Sequence, residues 1–99
     1  VYVTSKMGSI DDNKGGGSYI YRSSKTALNS VVKSLSVDLA CEGFSVAVVH
    51  PGWVRTDMGG PNGLIDVQTS VSGMLAVIDG LSPDNAGDFF NYDGSLIPW

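Results

Sequence analysis

The chain has 99 residues, of which 42% are hydrophobic and 16% charged, and its formal net charge is -4 at pH 7. This length and composition indicate one globular unit and exclude a disordered segment or a second domain. The acidic balance leaves no basic stripe for a nucleic acid, and no stretch approaches the ~20 apolar residues that span a membrane.

The residue types that hold metals or form disulfides are nearly absent, since the chain has one cysteine, Cys41, and one histidine, His50. A disulfide within the chain is impossible, and a metal centre needs more ligands than these two residues supply. A lone thiol is typical of a reducing compartment, so we expect a cytoplasmic protein. The chain also starts without Met, inside the apolar run Val1–Val3, and we therefore expect it to be part of a longer protein.

The first half of the chain predicts a strand, a loop and a long helix. Residues 1–5 are β-branched and aromatic, which favours a buried strand, and residues 6–18 have the composition of a surface loop. Over 19–42 apolar residues recur at three- and four-residue steps, which predicts a helix with Ser18 as its N-cap and Gly43 just beyond its end. The recurring residues are Leu28, Val31, Val32, Leu35 and Leu39.

The second half predicts two strands separated by a helix. Residues 44–50 are nearly all apolar, which is typical of a strand covered on both faces of a parallel sheet. A loop over 51–65, a helix over 66–81 and a short strand over 87–92 follow. The apolar side of this helix is expected to comprise Val67, Val71, Leu75, Ile78 and Leu81. The order β-α-β-α-β indicates an α/β fold with a parallel sheet.

Candidate catalytic residues converge on one edge of this sheet, where ligands bind beyond the carboxyl ends of the strands. Ser5 ends the first strand, Tyr21 and Lys25 lie in the first turns of the next helix, and residues 51–56 leave the second strand. Tyr21 and Lys25 are four residues apart and share a helix face. A nearby ammonium favours the phenolate, so a tyrosine becomes a usable general acid, although the same spacing also occurs in solvated pairs.

Five motifs follow one another in a fixed order, at residues 3–9, 21–25, 27–29, 36–39 and 51–56. Together they resemble the short-chain dehydrogenase/reductase family over essentially the whole chain. The triple glycine before Tyr21, the run Pro-Gly-Trp-Val-Arg-Thr-Asp-Met-Gly-Gly over 51–60 and the tail are most similar to sniffer-like carbonyl reductases and C-signal-like proteins. The resemblance implies that residues 1–99 form the C-terminal half of a Rossmann-like doubly wound domain, whose dinucleotide-binding N-terminal half is missing.

The resemblance also implies roles for individual residues. Tyr21 matches the proton donor, Lys25 the lysine that holds the nicotinamide ribose and strengthens the phenol as an acid, and Ser5 the catalytic serine, with Ser9 as its rival. Tyr19 is expected to pack or to line the pocket. The residues expected to bind the cofactor are Tyr21, Lys25, Pro51, Gly52, Val54 and Thr56.

The function implied is that of an NAD(P)H-dependent oxidoreductase of the carbonyl reductase type, which transfers a hydride between a nicotinamide and a carbonyl or alcohol. NADP(H) is favoured over NAD(H). Alone, the chain is expected to be inactive and to aggregate or remain molten, because its first strand would be an unpaired apolar edge. A non-catalytic regulator that senses dinucleotides through the same fold is the alternative.

Three further features leave alternatives open. Trp53 either walls the nicotinamide pocket or fills space. Met58 lies on the expected substrate side, and the short segment 57–65 implies an open pocket. The small residues of helix 19–42 allow either a homodimer through this helix or an ordinary solvated face.

Overall fold

The computed structural model describes residues 1–99 and contains one three-stranded parallel sheet. Its strands are β1 (Tyr2–Val3), β2 (Val48–His50) and β3 (Phe89–Asn91), and they lie side by side in that order. Helix α1 (Tyr19–Asp38) connects β1 to β2, and helix α2 (Val67–Asp79) connects β2 to β3. The predicted α/β fold and element order are therefore confirmed. Neither helix is both long enough and apolar enough to cross a lipid bilayer.

The core is built on both faces of the central strand β2. Alternate residues of a strand point to opposite faces, so Val48 and Val49 face different layers. Val48 packs with Val32 of α1, whereas Val49 packs with Val77 of α2. The two helices therefore cover opposite faces of the sheet, and the prediction of a β2 strand buried on both sides is confirmed.

The strands are shorter than the sequence predicts. The first predicted strand shrinks to Tyr2–Val3, and these residues are 43% and 56% exposed because no strand pairs with the outer edge of β1. The apolar run over 44–50 becomes buried only from Val46, since Phe44 is 58% exposed.

Helix α1 starts at Tyr19 with Ser18 at the N-cap position, as predicted, but it ends earlier than the predicted residue 42. The helix ends at Asp38 and gives way to a 3₁₀ turn, Ala40–Glu42, which Gly43 closes with φ of 83°. Ser18 occupies the N-cap position but makes no side-chain capping bond, because its backbone is left-handed (φ 52°). The guanidinium of Arg22 instead ties the start of the helix to the preceding loop by donating to the carbonyls of Gly16 and Gly17.

The predicted apolar face of α2 is wrong. Four of its five residues are between 43% and 54% exposed, namely Val67, Val71, Leu75 and Ile78. The packed face carries Ser70, Gly73, Met74 and Val77 instead. A Cβ on Gly73 would run into the carbonyl of Tyr92, so the helix approaches the chain after β3 through its smallest residues. Hydropathy alone does not register this steric requirement.

Candidate active site

An open cleft of about 540 Å³ lies beyond the carboxyl ends of β1 and β2. Six of the seven residues that the sequence assigns to the site line this cleft: Ser5, Tyr21, Pro51, Gly52, Val54 and Thr56. The seventh, Lys25, stands beside it, with its Nζ 5.7 Å from the centroid of the Tyr21 ring. The structure thus brings together side chains from three separate segments of the chain.

Residues 5–9, which we call the serine turn, place Ser5 on the cleft. They contain the 3₁₀ helix Lys6–Gly8, which Ser5 caps by accepting a 3.1 Å hydrogen bond at Oγ from the N–H of Met7. The hydroxyl hydrogen of Ser5 remains available to a bound oxygen. The rival Ser9 is buried away from the cleft, where its hydroxyl donates to the carbonyl of Pro98. Geometry therefore favours Ser5 over Ser9.

Tyr21 and Lys25 share the face of α1 that the spacing predicts. The Tyr21 side chain is 38% exposed, and its hydroxyl makes no hydrogen bond within the chain. Tyr19 was expected to pack or to line the pocket, but it is 85% exposed and lies outside the cleft. Tyr19 and Tyr21 are two residues apart on α1 and therefore point to opposite sides of the helix, so only Tyr21 reaches the cleft.

Two hydrogen bonds, one buried and one partly buried, fasten the end of β1 and the serine turn to α1. Thr4 Oγ1 donates to Asn29 Oδ1 at 2.6 Å, and Thr26 Oγ1 donates to the carbonyl of Gly8 at 2.8 Å. Asn29 Nδ2 is buried without a partner in the chain. Sequence reasoning missed Asn29, although a polar residue one turn beyond Lys25 on the buried helix face is a signal for such a contact.

Residues 51–65, which we call the wall loop, form the other side of the cleft. Gly52 has φ of 87°, a left-handed conformation that favours glycine, and a Cβ there would lie 2.7 Å from Ile65 Cδ1 and 2.9 Å from Tyr92 Cδ1, so these side chains would have to shift. Ser70 of α2 donates to the carbonyl of Pro51 at 2.6 Å and fixes the start of the loop. Sequence reasoning also missed Ser70, because its partner is a backbone atom with no signature of its own.

Trp53 both walls the cleft and braces the wall loop. It lines the cleft, and its indole N–H donates to the carbonyl of Gly59 at 2.7 Å. Thr56 Oγ1 accepts from the N–H of Gly59 at 3.1 Å. Met58 lines the cleft and is 91% exposed.

His50 is the titratable side chain of the cleft that the environment perturbs most. It lines the cleft, and its Nδ1 accepts a 3.0 Å hydrogen bond from the N–H of Lys6. Burial lowers the pKa of the imidazole to about 4, with a further lowering by the Lys6 ammonium and an opposing effect of the Asp12 carboxylate. Sequence reasoning weighed His50 only as a metal ligand. Its position directly before Pro51-Gly52 was the overlooked signal.

Comparison with known proteins identifies the family. The family model described as short chain dehydrogenase matches residues 1–64, so the chain belongs to this family. The C-signal protein of Myxococcus xanthus is 55% identical over 98 residues, which cover 99% of this chain and 59% of that protein.

Solved structures agree with this assignment. The carbonyl reductase Sniffer of D. melanogaster superposes with a TM-score of 0.94 at 46% identity, over 98% of this chain and 39% of that one. An NADPH-bound carbonyl reductase from chicken fatty liver gives a TM-score of 0.90 at 38% identity, over 98% of this chain and 41% of that one. The predicted Rossmann-like fold and the likeness to sniffer-like reductases are confirmed, and the chain spans only part of each relative.

Proposed function

We propose that this chain is the C-terminal part of an NADP(H)-dependent carbonyl reductase. In it, Tyr21 donates the proton to the carbonyl oxygen, and Ser5 and Lys25 assist this transfer. The observation that carries the proposal is that Ser5 and Tyr21, from two segments, line one cleft opposite the wall loop. The similarity to two carbonyl reductases, one of them bound to NADPH, supports the reaction type and the choice of cofactor.

The residues on the wall side fit a nicotinamide. The N–H of Val54 donates to no acceptor within the chain, and the hydroxyl hydrogen of Thr56 is available because its oxygen only accepts from Gly59. These two donors suit a carboxamide, while Pro51 and Trp53 offer apolar surface to a flat ring. Lys25 Nζ is the donor for ribose hydroxyls. When bound, the reduced nicotinamide supplies the hydride for the carbonyl carbon.

The chain's own residues serve the carbonyl oxygen, which gains negative charge as the reaction proceeds. The Ser5 hydroxyl donates a hydrogen bond to this oxygen and stabilises the charge. The Tyr21 hydroxyl transfers its proton to the same oxygen, which yields the alcohol. The Lys25 ammonium lies beside the Tyr21 ring and stabilises the phenolate that remains. In alcohol oxidation Tyr21 accepts the proton instead.

We also propose that an N-terminal half of the domain precedes these residues and pairs with β1. The outer edge of β1 exposes Tyr2 and Val3, and an apolar edge of this kind favours pairing with a further strand. The relatives described above are longer than the chain by a margin that would hold such a half. We therefore expect the isolated 99-residue chain to lack reductase activity.

The test is the oxidation of NADPH by aromatic aldehydes or quinones in the full-length protein. Tyr21→Phe removes the proton donor and should lower kcat by roughly 10²–10⁴-fold while NADPH binding is kept. Tyr19→Phe is the matched control, because it deletes the same hydroxyl two residues away on an exposed ring and should leave kcat unchanged.

Wild-type turnover in Tyr21→Phe would refute the proposed function. If the unaltered full-length protein binds NADPH but reduces no carbonyl compound, the regulator that senses dinucleotides becomes the better assignment.

A further inference from the structure

Three of the four backbone N–H groups of residues 6–9 find their acceptors within the serine turn. The N–H of Met7 donates to Ser5 Oγ, that of Gly8 to the Ser5 carbonyl and that of Ser9 to the Lys6 carbonyl. The remaining N–H, on Lys6, crosses to the neighbouring strand and donates to Nδ1 of His50 at 3.0 Å. The imidazole of His50 is therefore the acceptor for the one N–H group among residues 6–9 that has no acceptor within the turn.

This bond acts on the peptide group that carries Ser5. The N–H of Lys6 belongs to the peptide that links Ser5 to Lys6, so His50 fixes the plane of that peptide. On its other side, His50 is followed directly by Pro51, which starts the wall loop. One side chain thus connects the segment that presents the catalytic hydroxyl to the segment expected to hold the nicotinamide.

We propose that His50 is a positioning residue, whose neutral imidazole holds the Ser5–Lys6 peptide and so aims the Ser5 hydroxyl at the substrate oxygen. The inference rests on the proposed function and adds to it a residue outside the Ser5, Tyr21 and Lys25 group. His50 itself need not touch the substrate for this role.

The role requires one protonation state. An Nδ1 that accepts a hydrogen bond belongs to a neutral imidazole with its proton on Nε2, whereas an imidazolium would point an N–H at the N–H of Lys6. The charged groups that act on His50 are the Lys6 ammonium and the Asp12 carboxylate, 3.8 Å apart. Tyr21 is the other titratable side chain lining the cleft. Burial and Lys6 together hold the imidazole neutral down to about pH 4.

The first test compares two substitutions in the full-length protein. His50→Phe keeps a ring but has no acceptor, and it should lower kcat about tenfold with KM for NADPH changed less than about twofold. His50→Asn places an amide oxygen near the position of Nδ1 and should restore kcat to within about threefold of wild type. Equal losses in both variants would overturn the proposal, since the ring rather than the acceptor would then matter.

The second test needs neither cofactor nor turnover, and it applies even if His50→Phe fails to fold. At pH 5.5 an imidazole with the ordinary pKa of about 6.5 is about 90% protonated. Long-range ¹H–¹⁵N spectra should instead show His50 neutral with its proton on Nε2, assigned by the loss of its signals in His50→Asn. The Lys6 amide should also be protected from hydrogen exchange. An imidazolium or an Nδ1–H tautomer at this pH would overturn the proposal.

The two proposals fail in different ways. If Tyr21→Phe retains its activity, the proposed function is ruled out. If Tyr21→Phe loses its activity but His50→Phe keeps an unchanged kcat, only the proposed role of His50 is ruled out.

Discussion

The two sides of the cleft are held in opposite ways. The serine turn is fastened by bonds that leave it, to His50 on β2, to Thr26 on α1 and to Pro98 in the tail. The wall loop bonds mainly to itself, through Trp53 to Gly59, Arg55 to Gly63 and Leu64 to Trp53. Its one outside side-chain tie is Ser70 on the Pro51 carbonyl.

This difference in bonding predicts that the serine turn is the rigid side of the cleft and the wall loop the adjustable side. Moving the serine turn would break hydrogen bonds to β2, α1 and the tail, so we expect it to be the more rigid side of the cleft. The wall loop has fewer hydrogen bonds to other elements, and its outer part is exposed, with Met58 91% and Leu64 75% exposed. Under the proposed function, proton transfer needs fixed distances on the side of the serine turn, whereas the outer part of the wall loop, around Met58 and Leu64, can adjust to the substrate. The three changes below test this contrast in the full-length protein.

Gly8→Ala should have the largest effect, because it attacks the fixed side. The new Cβ would lie 2.9 Å from Lys25 Cβ and 3.0 Å from the Lys25 carbonyl carbon, so the backbone of α1 must move. We expect the free energy of unfolding to fall by about 2–3 kcal/mol and kcat to fall with it. Urea denaturation and steady-state rates measure both. Gly15→Ala, where a Cβ meets nothing within 4 Å, is the control.

Thr4→Val should have the next largest effect. It keeps the shape of Thr4 but leaves the buried amide of Asn29 without its one partner, which should cost about 1–2 kcal/mol of unfolding free energy. Adding Asn29→Leu removes the buried amide that has no hydrogen-bond partner, so the double variant should be more stable than Thr4→Val alone. If the losses of unfolding free energy in Thr4→Val and Asn29→Leu simply add in the double variant, this contact does not couple β1 to α1.

Trp53→Phe should have the smallest effect, since it removes the indole N–H bond to Gly59 and part of the ring but keeps an apolar aromatic surface on the cleft. We expect less than about 1 kcal/mol of lost stability, KM for the carbonyl substrate raised about threefold and kcat unchanged. A fall in kcat as large as that of Gly8→Ala would contradict the division between a fixed and an adjustable side.

Much of the fold follows from local patterns in the sequence. The period of Leu28, Val32 and Leu35 predicts α1, and the unbroken apolar run ending at His50 predicts a central strand. The motifs around Ser5, Tyr21 and Pro51 predict a site at the sheet edge, and the structure places these residues on one cleft. Their chemical roles stay predictions until the variants above are measured.

What the sequence does not reveal depends on partners that are distant or have no side chain. The packed face of α2 is selected by close approach at Gly73, while apolar residues occur all around the helix. The hydroxyl of Ser70 and the imidazole of His50 bond to backbone atoms, and no residue type marks those partners. The left-handed backbone at Ser18 likewise overrides a residue type that usually caps helices.

The self-contained bonding of the wall loop has a consequence for how such proteins diversify. A segment whose hydrogen bonds close within itself can be exchanged for another of similar span without rebuilding the scaffold beneath it. Under the proposed function, residues 53–64, which contain both partners of these bonds, are therefore where we expect mutation and recombination to change substrate preference. The serine turn, tied into three elements at once, is the part that such variation must leave in place.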